Sequence, residues 1–215
     1  LLLADLDADD DTDLVFINSE TPHEVFINDR FWNYQSAAGF EKIVNSHCTA
    51  AVAADVDADG QVELFSLAES EVSRWSPDPE GVWKPQAVVT EKSLNEIGPA
   101  NLALVDVEGD GQSELIVFGS RGWQVLELTG EWIDTHLVQD SDGSLRATGL
   151  MQQTAGPAIV GLLEHKTPMI WKPGPGRFPF LAVSLSGKLD RAAEMRSNAS
   201  GIGVKGVARI GGSWT

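Results

Sequence analysis

The chain has one cysteine, Cys48, so it can form no internal disulfide and must draw its stability from packing or bound ions. Beside Thr49 and Ala50, that lone thiol reads as a small buried residue and not as a nucleophile. Positive charge is scarce: 15 Lys and Arg face 32 Asp and Glu, a net charge of −17. A surface of that sign repels phosphate backbones and excludes nucleic acid as a partner. No apolar run approaches the roughly eighteen residues that a membrane-spanning helix needs. His23, His47, His136 and His165 lie far apart without H-x-x-x-H spacing, so zinc and acid–base chemistry have no local support. Surface or turn positions are expected for them. G-x-S-x-G is absent too, which removes the hydrolase elbow.

The chain has instead one acidic pattern written three times. Asp5-Leu6-Asp7-Ala8-Asp9-Asp10-Asp11-Thr12-Asp13, Asp55-Val56-Asp57-Ala58-Asp59-Gly60-Gln61-Val62-Glu63 and Asp106-Val107-Glu108-Gly109-Asp110-Gly111-Gln112-Ser113-Glu114 each carry acids at positions 1, 3, 5 and 9. Carboxylates this dense repel one another unless a divalent cation sits among them, and Ca²⁺ takes six to eight oxygens in flexible geometry. The expected ligands are the side chains of Asp5, Asp7, Asp9 and Asp13, of Asp55, Asp57, Asp59 and Glu63, and of Asp106, Glu108, Asp110 and Glu114. The carbonyls of Asp11, Gln61 and Gln112 would serve at position 7, for about three ions per chain. These loops hold 14 of the 32 acids, and three bound Ca²⁺ would bring −17 to −11. Position 6 is Gly in two loops and Asp10 in the first, where a positive φ is expected at some cost.

The loops recur about every 50 residues, a repeat signature. An EF-hand would need a Glu at position 12 and a helix running on from it; position 12 is Phe16, Ser66 and Val117. Each loop leads instead into a short β-forming run: Leu14–Asn18, Leu64–Leu67 and Leu115–Phe118. Trp75, Trp123 and Trp171 recur every 48 residues, with Trp83, Trp132 and Phe178 a few residues on and Phe31-Trp32 as the counterpart in the first repeat. That regularity points to packing rather than to sugar platforms. Four antiparallel strands in about 50 residues make a propeller blade. The expectation is an all-β fold with four blades over 1–180 (1–48, 49–98, 99–145, 146–180), then a short β segment over 181–215. A gap-free slide of the second repeat onto the fourth puts the ligand positions on Met151, Gln153, Ala155 and Ile159. That loop is expected to persist without metal.

These residues resemble the FG-GAP (VCBS-type) repeat of integrin α-subunit propellers, which carries a D-x-D-x-D-G-x-x-D loop between its first two strands. Gly98-Pro99-Ala100 and Phe118-Gly119 flank the third loop in the manner of that motif. The stretch Ser197–Val207 resembles the start of the ASPIC/UnbV domain that succeeds such repeats in proteins similar to cartilage acidic protein. The resemblance implies a secreted, extracellular or periplasmic Ca²⁺-binding propeller used for binding, generally without catalysis. The leading expectation is a scaffold for protein binding or adhesion in which the calcium is structural, since a cation that rigidifies a loop leaves little free coordination for a ligand. Two other functions stay open: a carbohydrate-binding module, and a fragment of an enzyme whose catalytic residues lie elsewhere. Family propellers close with about seven blades, and Leu1-Leu2-Leu3-Ala4 already reads as a strand. Further blades or self-association are therefore expected to cover the open ends. Gly201–Gly206 matches G-x-G-x-x-G but precedes a strand-like run, so it reads as a glycine-rich turn and not as a nucleotide site.

Overall fold

A computed structural model of the chain describes residues 1–29, 33–57, 59–90, 92–97, 100–106, 113–119, 122–129, 132–136, 145–153, 156–163, 168–171, 209–210 and 213–214. The chain divides into two compact units, Leu1–Pro179 and Phe180–Thr215. In the first, consecutive strands pair in antiparallel meanders. One sheet holds β1 (Leu2–Ala4), β2 (Asp13–Phe16), β3 (Glu24–Asn28) and β4 (Tyr34–Ser36). A second holds β5 (Ala50–Ala54), β6 (Glu63–Ala68), β7 (Glu71–Pro77) and β8 (Trp83–Thr90). The third comprises β9 (Ala100–Val105), β10 (Glu114–Gly119), β11 (Gly122–Thr129) and β12 (Trp132–His136). The fourth comprises β13 (Leu145–Gln153), β14 (Gly156–Leu163) and β15 (Met169–Trp171). In the second unit the described strands are the hairpin β16 (Arg209–Ile210) and β17 (Ser213–Trp214). No helix among the described residues is long and apolar enough to cross a membrane.

The fold is all-β, as expected, with two additions that the pattern does not announce. The single-turn helices α1 (Glu41–Val44) and α2 (Lys92–Glu96) lie between successive sheets and each buries one side chain, Ile43 or Leu94. One turn is too short to produce a 3.6-residue periodicity.

The second strands of the second and third meanders explain the stacking. Glu63–Leu67 of β6 and all six residues of β10 are buried, where a half-exposed strand would alternate. Phe65, Leu67 and Val72 meet Leu102, Leu115 and Val117 of the third sheet. Leu64, Trp75 and Trp83 meet Leu6, Val15 and Val25 of the first. Alternate residues of β6 thus serve two interfaces, and the first three sheets stack face to face in chain order. Trp75, Trp83 and Trp123 are buried, so these tryptophans pack. Trp83 stacks on Phe40 at 5.2 Å, and Trp75 Nε1 donates to Ser66 Oγ at 2.8 Å. Phe31, Trp32, Phe178 and the side chains of Trp132 and Trp171 lie outside the described residues.

Candidate metal centre

The loops grow from one register. β1 and β2 pair Ala4 with Asp13, β5 and β6 pair Ala54 with Glu63, and β9 and β10 pair Val105 with Glu114. Eight residues bridge each pair, so every loop leaves and re-enters its sheet at the same place. The position-9 acid opens the second strand each time, and Asp13, Glu63 and Glu114 are all buried. A buried carboxylate needs partners. Asp13 Oδ2 accepts the Leu6 N–H at 2.7 Å and its Oδ1 accepts the Asn28 N–H at 2.9 Å. Glu63 Oε2 accepts the Val56 N–H at 3.1 Å, the counterpart of the first of these.

Position 1 folds the first two loops. Asp5 accepts the N–H groups of Asp9 at 3.1 Å and Asp10 at 3.0 Å, while Asp55 accepts those of Asp59 at 3.1 Å and Gly60 at 2.9 Å. Position 5 then accepts the N–H two residues on, Asp11 to Asp9 at 3.0 Å and Gln61 to Asp59 at 2.8 Å. Position 6 is left-handed in both, φ 74° at Asp10 and 90° at Gly60, as the Gly-or-Asp pattern requires. Ala8 is left-handed as well, φ 59°, and no glycine marks it.

Folding brings Asp5, Asp7 and Asp13 together, and likewise Asp55, Asp57 and Glu63, with one carboxylate oxygen from each within 4.8 Å of the others. Asp9 and Asp59 stand outside these groups, turned toward the loop backbone. The donor set is of hard oxygens only, which suits Ca²⁺ or Mg²⁺ and not a soft metal. Burial raises the pKa of Asp7, and repulsion from Asp13, Asp9 and Asp5 raises it further. Burial also raises that of Asp13 against the pull of its two N–H donors. Carboxyls that converge and push one another's pKa upward have the chemistry of a cation site.

Of the third loop, Asp106 and Glu114 are described; Glu108, Asp110 and Gln112 lie outside the described residues. The fourth repeat departs from expectation. Met151 and Gln153 belong to β13, and Gln153 pairs with Gly156, leaving two residues where the other repeats have eight. A gap-free slide assumed an equal loop; the chain has shortened the hairpin instead, and no ligand frame remains there.

His23, for which a surface or turn position was expected, lies in the connection before β3 but is buried. Its Nδ1 accepts the Asn18 N–H at 3.2 Å, and its Nε2 lies 3.3 Å from Cys48 Sγ. Burial lowers the His23 pKa and raises that of Cys48, so the pair is a neutral imidazole beside a thiol. Cys48 is buried, as its small neighbours suggested.

A cleft of about 890 Å³ opens between the first two sheets. Asp5 and Asp7 of the first loop border it, with Asp29, Gln35, Asp78 and Trp83 among the other residues that line it. Asp78 pairs with Lys84 and accepts the Val82 N–H at 2.9 Å, which together hold its pKa down to about 2.

No protein-family model matches this chain, and no curated protein matches it. Among solved structures, it is similar to a lectin of Agrocybe aegerita described as recognising non-reducing terminal N-acetylglucosamine. The TM-score is 0.52 at 16% identity, over 74% of this chain and 45% of the lectin. The likeness is one of fold. This chain spans less than half of the lectin's length.

Proposed function

We propose that this chain is a non-catalytic, calcium-stabilised binding scaffold of propeller type that takes carbohydrate in the cleft between its first two sheets. The observation that carries the calcium part is the repetition of one hydrogen-bond frame in two loops, each converging three carboxylates. Asp9, Asp59 and the Asp11 and Gln61 carbonyls would complete the shells, and the loop from Asp106 to Glu114 would supply a third site. The resemblance to FG-GAP repeats supports the same reading, including a place outside the cytoplasm, where sites of about 10⁻⁴ to 10⁻³ M suffice.

Carbohydrate is favoured over a protein or adhesive ligand by two observations. The cleft presents amide and carboxylate groups suited to sugar hydroxyls, and the structural neighbour is a lectin. An enzymatic role gains nothing from the described residues, because the Cys48–His23 pair is buried and its thiol protonated. The first sheet leaves Leu1 and Leu3 exposed and the fourth leaves Leu162, Met169 and Ile170, which further blades or a second copy would cover.

Calorimetry on metal-stripped protein tests the calcium reading, with about three Ca²⁺ per chain expected; a count of zero sinks it. A glycan array, probed with terminal N-acetylglucosamine among its ligands, tests the carbohydrate reading. Binding that Gln35→Ala abolishes supports the cleft, whereas a blank array returns the scaffold to protein ligands.

A further inference from the structure

The two loops share a frame but differ in charge, partly within the motif, with six acids against four, and partly through a strand outside it. Arg74 lies on β7, and its Nη2 reaches both Asp57 Oδ2 and Glu63 Oε1, the latter at 2.7 Å. Those are positions 3 and 9 of the second loop, two of the three carboxylates that converge there. The register-equivalent residue in the neighbouring repeats is not basic. Two residues into the second strand, Val15 pairs with Val25, Phe65 with Arg74 and Ile116 with Val125. The first loop therefore holds six acids with valine at that place, and the second holds four acids with a guanidinium.

We infer that Arg74 is an intramolecular counter-cation that competes with divalent metal for the second loop, setting that site apart from the first. The inference rests on the calcium reading above and concerns how one of those sites is governed. A metal at the second loop needs the oxygens that Arg74 now engages, and two cations cannot share them at hydrogen-bond distance without strong repulsion. Binding therefore requires Arg74 to swing out. The apparent affinity falls by the fraction of time the loop stands open, so a latch closed nine-tenths of the time weakens binding about tenfold. The latch is also imperfectly made. Arg74 Nε is buried without a hydrogen-bond partner, which leaves the closed arrangement with an unmet polar group and makes its release feasible. The first loop, with Val25 in that register, takes metal without competition from this strand. The second stays folded without metal and fills when calcium rises.

The test is calorimetry of Ca²⁺ binding to the whole chain, comparing the parent with Arg74→Val and Arg74→Gln. Asp57→Asn and Asp7→Asn assign the heats to the second and first loops. The binding that Asp57→Asn removes should be the weaker of the two, and both Arg74 variants should tighten it about tenfold or more. If that site is detectable only once Arg74 is replaced, the inference is likewise supported. In chelator both variants should melt below the parent, and calcium should restore them; the Asp7-dependent site should not change. An unchanged or weakened second site, with the first still binding, overturns the latch and leaves the calcium reading standing. Absence of Ca²⁺ binding from parent and variants overturns both.

Discussion

Asp13→Ala is the most searching single substitution, because Asp13 serves the fold and the proposed site through different interactions. It is fully buried, and its two oxygens hold the N–H groups of Leu6 and Asn28. Alanine leaves two buried donors unpaired, at about 1 to 2 kcal/mol each, so roughly 2 to 4 kcal/mol is lost without any metal. Relief of a buried charge offsets part of that loss, since burial and the neighbouring acids raise the Asp13 pKa. With calcium at about 100 Kd, the parent gains about 2.7 kcal/mol from the site and the variant gains none. For a chain of this size that extra gap is roughly 5 to 10 °C in Tm. The assay is thermal and urea denaturation of both proteins, in chelator and in saturating Ca²⁺. The sign with pH is also defined. In chelator, the raised pKa values of Asp7 and Asp13 mean that their contribution is full below the ordinary value of 3.8 and lost as pH rises through the folded values. Metal-free protein should therefore gain stability from these groups on mild acidification, and calcium should abolish that gain. An Asp13→Ala penalty identical with and without calcium would refute the assignment of Asp13 as a ligand.

Four further outcomes are expected from the same geometry. Gln153→Ala should leave the calcium dependence of melting untouched, because the fourth hairpin has no loop to hold an ion. Gly60→Ala should cost about 1 kcal/mol in denaturant titrations through its left-handed φ of 90°, and Gly39→Ala more, since an added Cβ there presses on the Gly81 carbonyl oxygen. His23, with its pKa lowered by burial, gives stability that is full above the ordinary value of 6.5 and lost as pH falls toward the folded value; melting of His23→Asn against pH should lack that slope. Lys84→Ala should raise the Asp78 pKa from about 2 in a carboxylate NMR titration, and should shrink the stability that the parent has above 3.8 and loses as pH falls through about 2.

Much of this architecture is legible because two periods coincide in the chain. Acids at positions 1, 3, 5 and 9 mark where one strand ends and the next begins, and the tryptophans mark the same unit from its other side. Together they locate the strands and the loops, and the positive φ at Asp10 is readable from its place in the glycine column. Other features are decided by contacts that no local pattern encodes. The helices α1 and α2 are single turns held by Ile43 and Leu94. His23 is buried through partners at Asn18, Val44 and Cys48, two of them more than twenty residues away. Arg74 lies eleven residues beyond its loop, and its role emerges only once β6 and β7 are placed in register. The signal that could have found it is its place in the chain, a basic residue set between the core positions Val72 and Trp75. The cleft between the first two sheets is likewise a product of stacking and has no sequence signature.

Position 9 ties these observations to one physical cause. Asp13, Glu63 and Glu114 each begin a strand that contributes to the core, and each is itself buried at that threshold. An acid there is costly unless it is bonded, and the frame supplies one backbone N–H from position 2 for Asp13 and Glu63. The charge that is left over favours a nearby cation or, failing one, a proton. In the second loop Arg74 meets it from within the sheet, and the Glu63 pKa, though raised by burial, is drawn back by that guanidinium. In the first loop the residue in register is valine, and the acids around Asp7 raise its pKa in addition to burial. On the calcium reading proposed above, the same buried carboxylate thus gives two kinds of loop, one that carries its own counter-ion on the adjoining strand and one that would take an ion from solution.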